Sequence, residues 1–321
     1  MISSVLVPLD GSPEAEQAIP YALTVLPNGG HVLLFTAVSD LGTPVASDPD
    51  LTGWQRTPNP GQEAAYATEL NSARAALQQI VSRKPDVPAN WSVEVALGDP
   101  ASQILQTIAQ REVDLVAMTT HGRGALGRIV FGSVADRIAR TSPVPVLLVR
   151  PELTTSAPET ATITRLLVPL DGSERAEAAL PVATALAQRL AVPIHLVRAT
   201  NSAQVLATLG GGGPFPAAPA ANIYDQLGSD LEREATTYLS GVTRGLQAEG
   251  LNATCAVGVG SVYAEIANAI KPGDLLVMTS HGRSGVMRWL LGSVAEKLVR
   301  EAPAPVLLVP AADRGTAAAE A

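Results

Sequence analysis

The feature that most constrains this 321-residue chain is that it repeats itself. Leu6-Val-Pro-Leu-Asp-Gly-Ser12 recurs as Leu167-Val-Pro-Leu-Asp-Gly-Ser173, and Met118-Thr-Thr-His-Gly-Arg123 as Met278-Thr-Ser-His-Gly-Arg283. Gly132-Ser-Val-Ala135 recurs as Gly292-Ser-Val-Ala295, and Pro145-Val-Leu-Leu-Val149 as Pro305-Val-Leu-Leu-Val309. The offset is 161 residues at the opening and 160 later, so the four anchors are nearly collinear. A unit this long is a domain, not a solenoid repeat. The reading is a first domain over 1–150, a linker over 151–163, a second domain over 164–310 and a tail over 311–321. The linker is rich in Thr, Pro and Ala and carries no apolar period.

Within each copy, short apolar runs alternate with amphipathic stretches. In the first, the runs are Val5–Leu9, Val32–Val38, Trp91–Leu97, Leu115–Met118 and Val144–Val149. Residues 63–84 place Tyr66, Leu70, Leu77 and Ile80 on one helical face, as Leu227, Leu231, Tyr238 and Leu246 do in the second copy. Continuous apolar strands separated by helices predict an α/β fold: two tandem open-sheet domains, each a five-stranded, mainly parallel sheet with helices on both faces. Two insertions follow the second strand of each copy, at 40–62 and 201–222. Loops that long are either lids or disordered, and both readings stay open.

Composition narrows the function. The net charge of −8 gives no basic surface for nucleic acid or an anionic membrane. No apolar run approaches a membrane span, and the opening residues lack a signal-peptide pattern. Cys255 is the one cysteine, which rules out an intramolecular disulfide and fits a reducing, cytoplasmic location.

Open parallel sheets bind ligands beyond the carboxyl ends of their strands, and three repeated features fall there. Pro8-Leu-Asp10 and Pro169-Leu-Asp171 close the first strand of each copy. Such a carboxylate can accept bonds from ribose hydroxyls or help hold a metal on a polyphosphate. The local alternative is a helix start, with Ser12 as N-cap and Pro13 at the first helical position. Thr119-Thr-His-Gly122 and Thr279-Ser-His-Gly282 leave the fourth strand. Gly132-Ser133-Val134 and Gly292-Ser293-Val294 open a helix whose free N–H groups suit phosphate. The local alternative there is a capping box, Ser293-Val-Ala-Glu296, approximated by Ser133-Val-Ala-Asp136.

The spacing Gly122, nine residues, Gly132-Ser133, repeated from Gly282 to Gly292-Ser293, resembles the glycine signature of ATP-binding universal stress proteins. The resemblance covers nearly the whole chain, as a tandem member of a nucleotide α-hydrolase-like fold. The family pattern has a further glycine where this chain has Thr119 and Thr279. Carried over by position, the resemblance implies ATP with Mg²⁺ as ligand, and a regulatory or protective role under stress. Asp10 and Asp171 would face the adenosine part, and Ala37 and Ala199 would offer backbone contacts to adenine. Gly122, Gly132, Ser133 and Val134, with Gly282, Gly292, Ser293 and Val294, would surround phosphates. Arg123 and Arg283 are added here as candidates for screening phosphate charge, against the alternative of solvated arginines. The resemblance also implies that the copies pair through their closing strands, with a homodimer of the tandem chain left open. A slow ATP hydrolase or self-phosphorylating enzyme is a second reading, with Asp10, Asp171, Ser133 and Ser293 as its visible candidates. A scaffold that binds no nucleotide is a third.

Other signals are discounted. Gly122-Arg-Gly-Ala-Leu-Gly127 spells a dinucleotide motif but follows the wrong strand. There is no Walker A segment. His121 and His281 lack neighbouring ligands in sequence and are read as local hydrogen-bonding or phosphate-touching residues. His31 and His195 are given no role, and Cys255 is read as packing.

Overall fold

The computed structural model describes residues 2–39, 60–84, 87, 89–121, 131–151, 160–201, 220–280 and 291–310. The first copy runs β1 (Ser4–Pro8), α1 (Pro13–Glu16), α2 (Ala18–Val25), β2 (His31–Val38), α3 (Pro60–Ser82), β3 (Asn90–Leu97), α4 (Pro100–Gln110), β4 (Leu115–Thr119), α5 (Ser133–Thr141) and β5 (Val146–Val149). The second runs β6 (Arg165–Pro169), α6 (Glu174–Glu177), α7 (Leu180–Leu190), β7 (Ile194–Thr200), α8 (Ala220–Ala248), β8 (Ala253–Val259), α9 (Val262–Ala269), β9 (Asp274–Thr279), α10 (Ser293–Glu301) and β10 (Val306–Val309). The five expected strands of the first copy are present, with ends shifted by a residue or two.

The strands form one ten-stranded sheet in the order β3-β2-β1-β4-β5-β10-β9-β6-β7-β8. Within each copy every pairing among the described residues is parallel. The copies join where β5 and β10 run antiparallel, with Leu147 opposite Leu307. Val-Leu-Leu-Val on Val-Leu-Leu-Val is self-complementary: successive side chains go to opposite faces, so each strand supplies both cores. One core holds Ile19, Leu34 and Leu147 with Leu186, Leu239 and Leu307, under α1–α3 and α6–α8. The other holds Phe35, Ile104 and Ile138 with Ile266, Leu298 and Leu308, under α4, α5, α9 and α10. Each fully buried leucine contributes on the order of 1.5–3 kcal/mol, so the joint is part of the core.

Two sequence readings are corrected at their edges. Pro60, Gly61 and Gln62 belong to α3, and Ala220–Asn222 to α8, not to the insertions. In both cases the helix begins about two turns before the first apolar residue of its pattern, Tyr66 or Leu227. The lid readings for 40–59 and 202–219 lie outside the described residues. The stretch read as a linker ends in contact: Thr24 Oγ1 on α2 donates to Ala161 O at 2.8 Å, and Ile163 is buried. Among the described residues, no helix is long and apolar enough to cross a membrane.

Candidate functional site

At its carboxyl end β1 leaves the sheet before its neighbour does. Leu9 N donates to Phe35 O at 2.7 Å, the last bond from the β1 side. Gly11 then takes φ 79°, a conformation that favours glycine. Ser12 caps α1 by accepting from Ala15 N at 3.2 Å, with Pro13 at the helix start, as the sequence implied. Asp10 accepts from Ser12 N at 2.9 Å and from Ser12 Oγ. Ser173 and Asp171 repeat this in the second copy, around Gly172 at φ 83°.

Meanwhile β2 continues, paired with β3 as far as Val38 opposite Leu97. Phe35 turns its peptide groups toward β1, and Val38 turns its carbonyl to Gly98 N at 2.9 Å. Peptide groups alternate sides along a strand, so those of Ala37 face the space that β1 has vacated. They present one donor and one acceptor there. Ala199 holds the same place in the second copy, because Val197 O is bonded to Leu170 N and Thr200 O to Gly260 N.

The third wall comes from β4 and α5. Thr119 Oγ1 donates to His121 O at 3.0 Å, so its hydroxyl proton is committed to the strand exit. Gly132 N donates to Thr120 O at 2.8 Å. A Cβ on Gly132 would lie 3.2 Å from that same carbonyl oxygen. Close backbone approach, rather than an unusual φ, accounts for the glycine. Anchoring Gly132 makes it the N-cap of α5 and puts Ser133 inside the first turn. The capping-box reading is therefore overturned in both copies: Gly292 caps α10, and neither cap makes a side-chain bond. The acidic residues that would have closed the boxes are paired elsewhere. Asp136 holds Arg140 at 2.7 Å, and Glu296 holds Arg300 at 2.8 Å. The first-turn N–H groups of both helices thus receive no cap from their own side chains, which leaves donors and a positive helix end for an anion.

These walls enclose a cleft of about 460 Å³. Pro8, Asp10, Ala37 and Thr119 line it, together with Gly132, Ser133 and Val134. Seven residues named from the sequence are thus brought together from four separate elements. Pro169, Asp171, Ala199 and Thr279, with Gly292, Ser293 and Val294, occupy the corresponding strand ends and helix start of the second copy. Gly122, Arg123, Gly282 and Arg283 lie outside the described residues.

Sequence reasoning missed the apolar wall, which consists of Phe35, Pro100, Ile104 and Met118. Phe35 was reachable from Ala37 by the period of two. Asp99-Pro100 was reachable as a helix start after β3, since Asp99 caps α4 by accepting from Ser102 N at 2.9 Å. The second copy has Val262 and Ile266 at the places of Pro100 and Ile104. Ile266 is identical to Ile104, but Val262 replaces Pro100 and no two consecutive residues of this helix start are shared, so a search for repeated segments passes over it.

His121 also lines the cleft, and its Nδ1 lies 3.1 Å from Thr120 Oγ1. Burial, reinforced by the Arg150 charge, holds its pKa below the usual 6.5, with Glu14 acting the other way. His31, at the opposite end of the sheet, bonds Ser92 at 2.7 Å, and His195 bonds Thr254 at 2.8 Å. Cys255 is half-buried and packs on the first core. Among the described residues, no group of three or more His, Cys, Asp or Glu could hold a metal ion. Chemically, the cleft offers an apolar wall, a peptide edge with one donor and one acceptor, a carboxylate, and an open helix start. That combination suits a flat ring joined through hydroxyl-bearing carbons to an anionic tail.

Comparison with known proteins bears on the whole chain. The model of the universal stress protein family matches residues 1–150 and again 162–310. A universal stress protein of Mycobacterium tuberculosis is 26% identical over 313 residues, covering 95% of this chain and 96% of its own. One from Thermus aquaticus is 31% identical over 150 residues, 47% of this chain and 100% of its own. The crystal structure of a universal stress protein from Archaeoglobus fulgidus shares the fold, with a TM-score of 0.65 at 17% identity over 97% of this chain and 99% of that one. A putative universal stress protein from Pseudomonas aeruginosa shares it too, with a TM-score of 0.54 at 16% identity over 96% and 93%. With two matches that together take in nearly all of its residues, this chain belongs to the universal stress protein family and carries two of its domains in tandem.

Proposed function

We propose that the protein binds ATP, carried with Mg²⁺, and serves a regulatory or protective role under stress. The observation that carries this reading is the cleft itself, where the Ala37 peptide edge, the Asp10 carboxylate and the uncapped start of α5 converge on one volume of about 460 Å³. In that arrangement adenine lies against Phe35, Pro100 and Ile104 and bonds the Ala37 peptide groups. The ribose hydroxyls donate to Asp10, and the phosphates accept from the N–H groups of Ser133 and Val134. Mg²⁺ enters on the phosphates, since the described residues hold no metal-binding cluster of their own. No described carboxylate or imidazole is hydrogen-bonded to Ser133, so nothing there favours a hydrolase over a binding protein.

The test is calorimetric titration of the full chain with MgATP, in wild type and in Gly132→Trp/Gly292→Trp. Wild type should bind close to two ATP per chain, and the variant should bind none. Because a side chain at 132 presses on Thr120 O, a second variant, Ala37→Pro/Ala199→Pro, guards against misfolding. It removes one N–H that faces the cleft and leaves the ladder to β3 and β8 intact. Its ATP affinity should drop by about tenfold, the worth of one well-placed hydrogen bond. No wild-type binding up to millimolar MgATP would leave a scaffold role instead. Phosphate release that scales with protein and vanishes in Asp10→Ala/Asp171→Ala would point to an enzyme.

A further inference from the structure

His121 stands where the phosphate end of the cleft is formed. It follows β4, and its Cα would lie 3.5 Å from a Cβ on Gly132, so the ring-bearing backbone packs directly against the cap of α5. Its Nδ1 is engaged with Thr120 Oγ1. Among the described residues, Nε2 has no partner. Among the described residues, the charged groups around it are few. Glu14 approaches from α1 and favours a protonated ring, whereas Arg150, just past β5, opposes it. Asp10 is the acid that lines the same cleft from the β1 turn. Asp136, one turn into α5, is occupied by Arg140.

We propose that His121 makes the first cleft a proton-linked phosphate site, in which a ligand with a multiply charged phosphate tail binds together with one proton taken from solvent by the imidazole. This rests on the nucleotide reading above. A neutral imidazole can offer a lone pair where a phosphate oxygen needs a donor; protonation turns both ring nitrogens into donors. The resulting bond is charge-assisted, and an opposite charge within about 4–6 Å favours the protonated ring. Burial works in the other direction in the free protein, keeping the ring neutral near pH 7. The phosphate therefore reverses the preference, and the bond that forms is N–H to phosphate oxygen, with no other bond broken. Affinity should rise as pH falls from the titration range of the bound ring to that of the free ring, and then level off. Ligands that lack phosphate should show none of this.

The experiment is calorimetry of the full chain near pH 7, in buffers of low and high ionisation enthalpy, with MgATP and with adenosine. Wild type should take up protons with MgATP but not with adenosine. His121→Gln should bind MgATP with the uptake lowered by roughly a few tenths of a proton and with a flatter pH dependence. MgATP binding with the same proton uptake in His121→Gln as in wild type overturns the inference while leaving the nucleotide reading intact. Absence of binding in wild type overturns the nucleotide reading itself. Imidazole NMR of the wild-type chain gives an independent reading. The His121 signals should titrate below pH 6.5 in the free protein and above it with MgATP, and no upward shift would equally overturn the proposal.

Discussion

Ahead of β4, Asp114 accepts from Ser3 N and Ser3 Oγ at 2.7 Å and from Ser4 N at 3.0 Å, in a partly exposed setting. At the same place in the second copy, Asp274 is 2% exposed and grips Arg165 through two bonds, at 2.9 and 2.6 Å. Both carboxylates tie the first strand of a copy to its fourth, but one does so with hydroxyl and peptide donors and the other with a buried ion pair. The carboxyl ends of the same strands behave differently. Asp10 and Asp171 make the same bonds to Ser12 and Ser173, and Gly132 and Gly292 cap their helices at φ −62° and −60°. Anchoring can be achieved by several chemistries, so it drifted between copies. The ends that shape the cleft depend on backbone placement that few residues allow. The side chains around that frame vary as well: Arg175 and Pro310 stand where the first copy has Glu14 and Arg150.

This contrast can be broken most directly at its amino-end half. Asp274→Ala strands a buried guanidinium and should cost about 3–5 kcal/mol, whereas Asp114→Ala, whose partners can turn to water, should cost about 1 kcal/mol. Urea unfolding of the two variants checks this, and equal losses would mean that the copies anchor alike. Where the copies meet, they should be equivalent. Leu147→Ala and Leu307→Ala, both fully buried and opposite one another, should each lose about 2–5 kcal/mol. The double variant should lose less than the sum, because the two share one packing site. A markedly smaller loss at either position would show that one copy dominates the joint.

The smallest effect expected is a pH dependence. Burial opposes the charge on Asp114, but the bonds from Ser3 and Ser4 together outweigh it and hold its pKa below 3.8. A depressed carboxylate stabilises the fold above its unfolded pKa, and that contribution disappears as pH falls through the folded value. Asp114→Asn should therefore lose its small increment of stability at neutral pH and converge on wild type as pH falls below about 4, giving a flatter acid limb, as acid titration of unfolding midpoints would reveal.

Much of the architecture was legible in the chain. The duplication, the strand and helix alternation, and the Ser12 cap all follow from local pattern, because a period of two or of 3.6 and a Ser-Pro helix start depend on neighbours in sequence. The site was legible in part. Asp10, Gly132 and Ser133 could be found because they repeat within matched segments, whereas Pro100 and Ile104 could not, because Val262 keeps only the apolar character of Pro100 and Ile266 recurs without identical neighbours. The capping box failed for a reason no local pattern contains: the bond from Gly132 N to Thr120 O, across a stretch of chain, decides which residue flanks the helix.

The sequence by itself determined that there are two α/β copies, which segments are strands and helices, and which residues sit at strand ends. Pairing through the closing strands was implied by the resemblance, but tertiary structure alone decided the antiparallel register in which β5 and β10 join the copies into one sheet, and that the chain's exit from β1 leaves the Ala37 peptide edge bare. It also decided that an apolar wall from α4 closes the cleft opposite α5. The division is physical. Periodicity and turn chemistry act over a few residues, while register, strand-end mismatch and close backbone approach exist only once distant segments have packed.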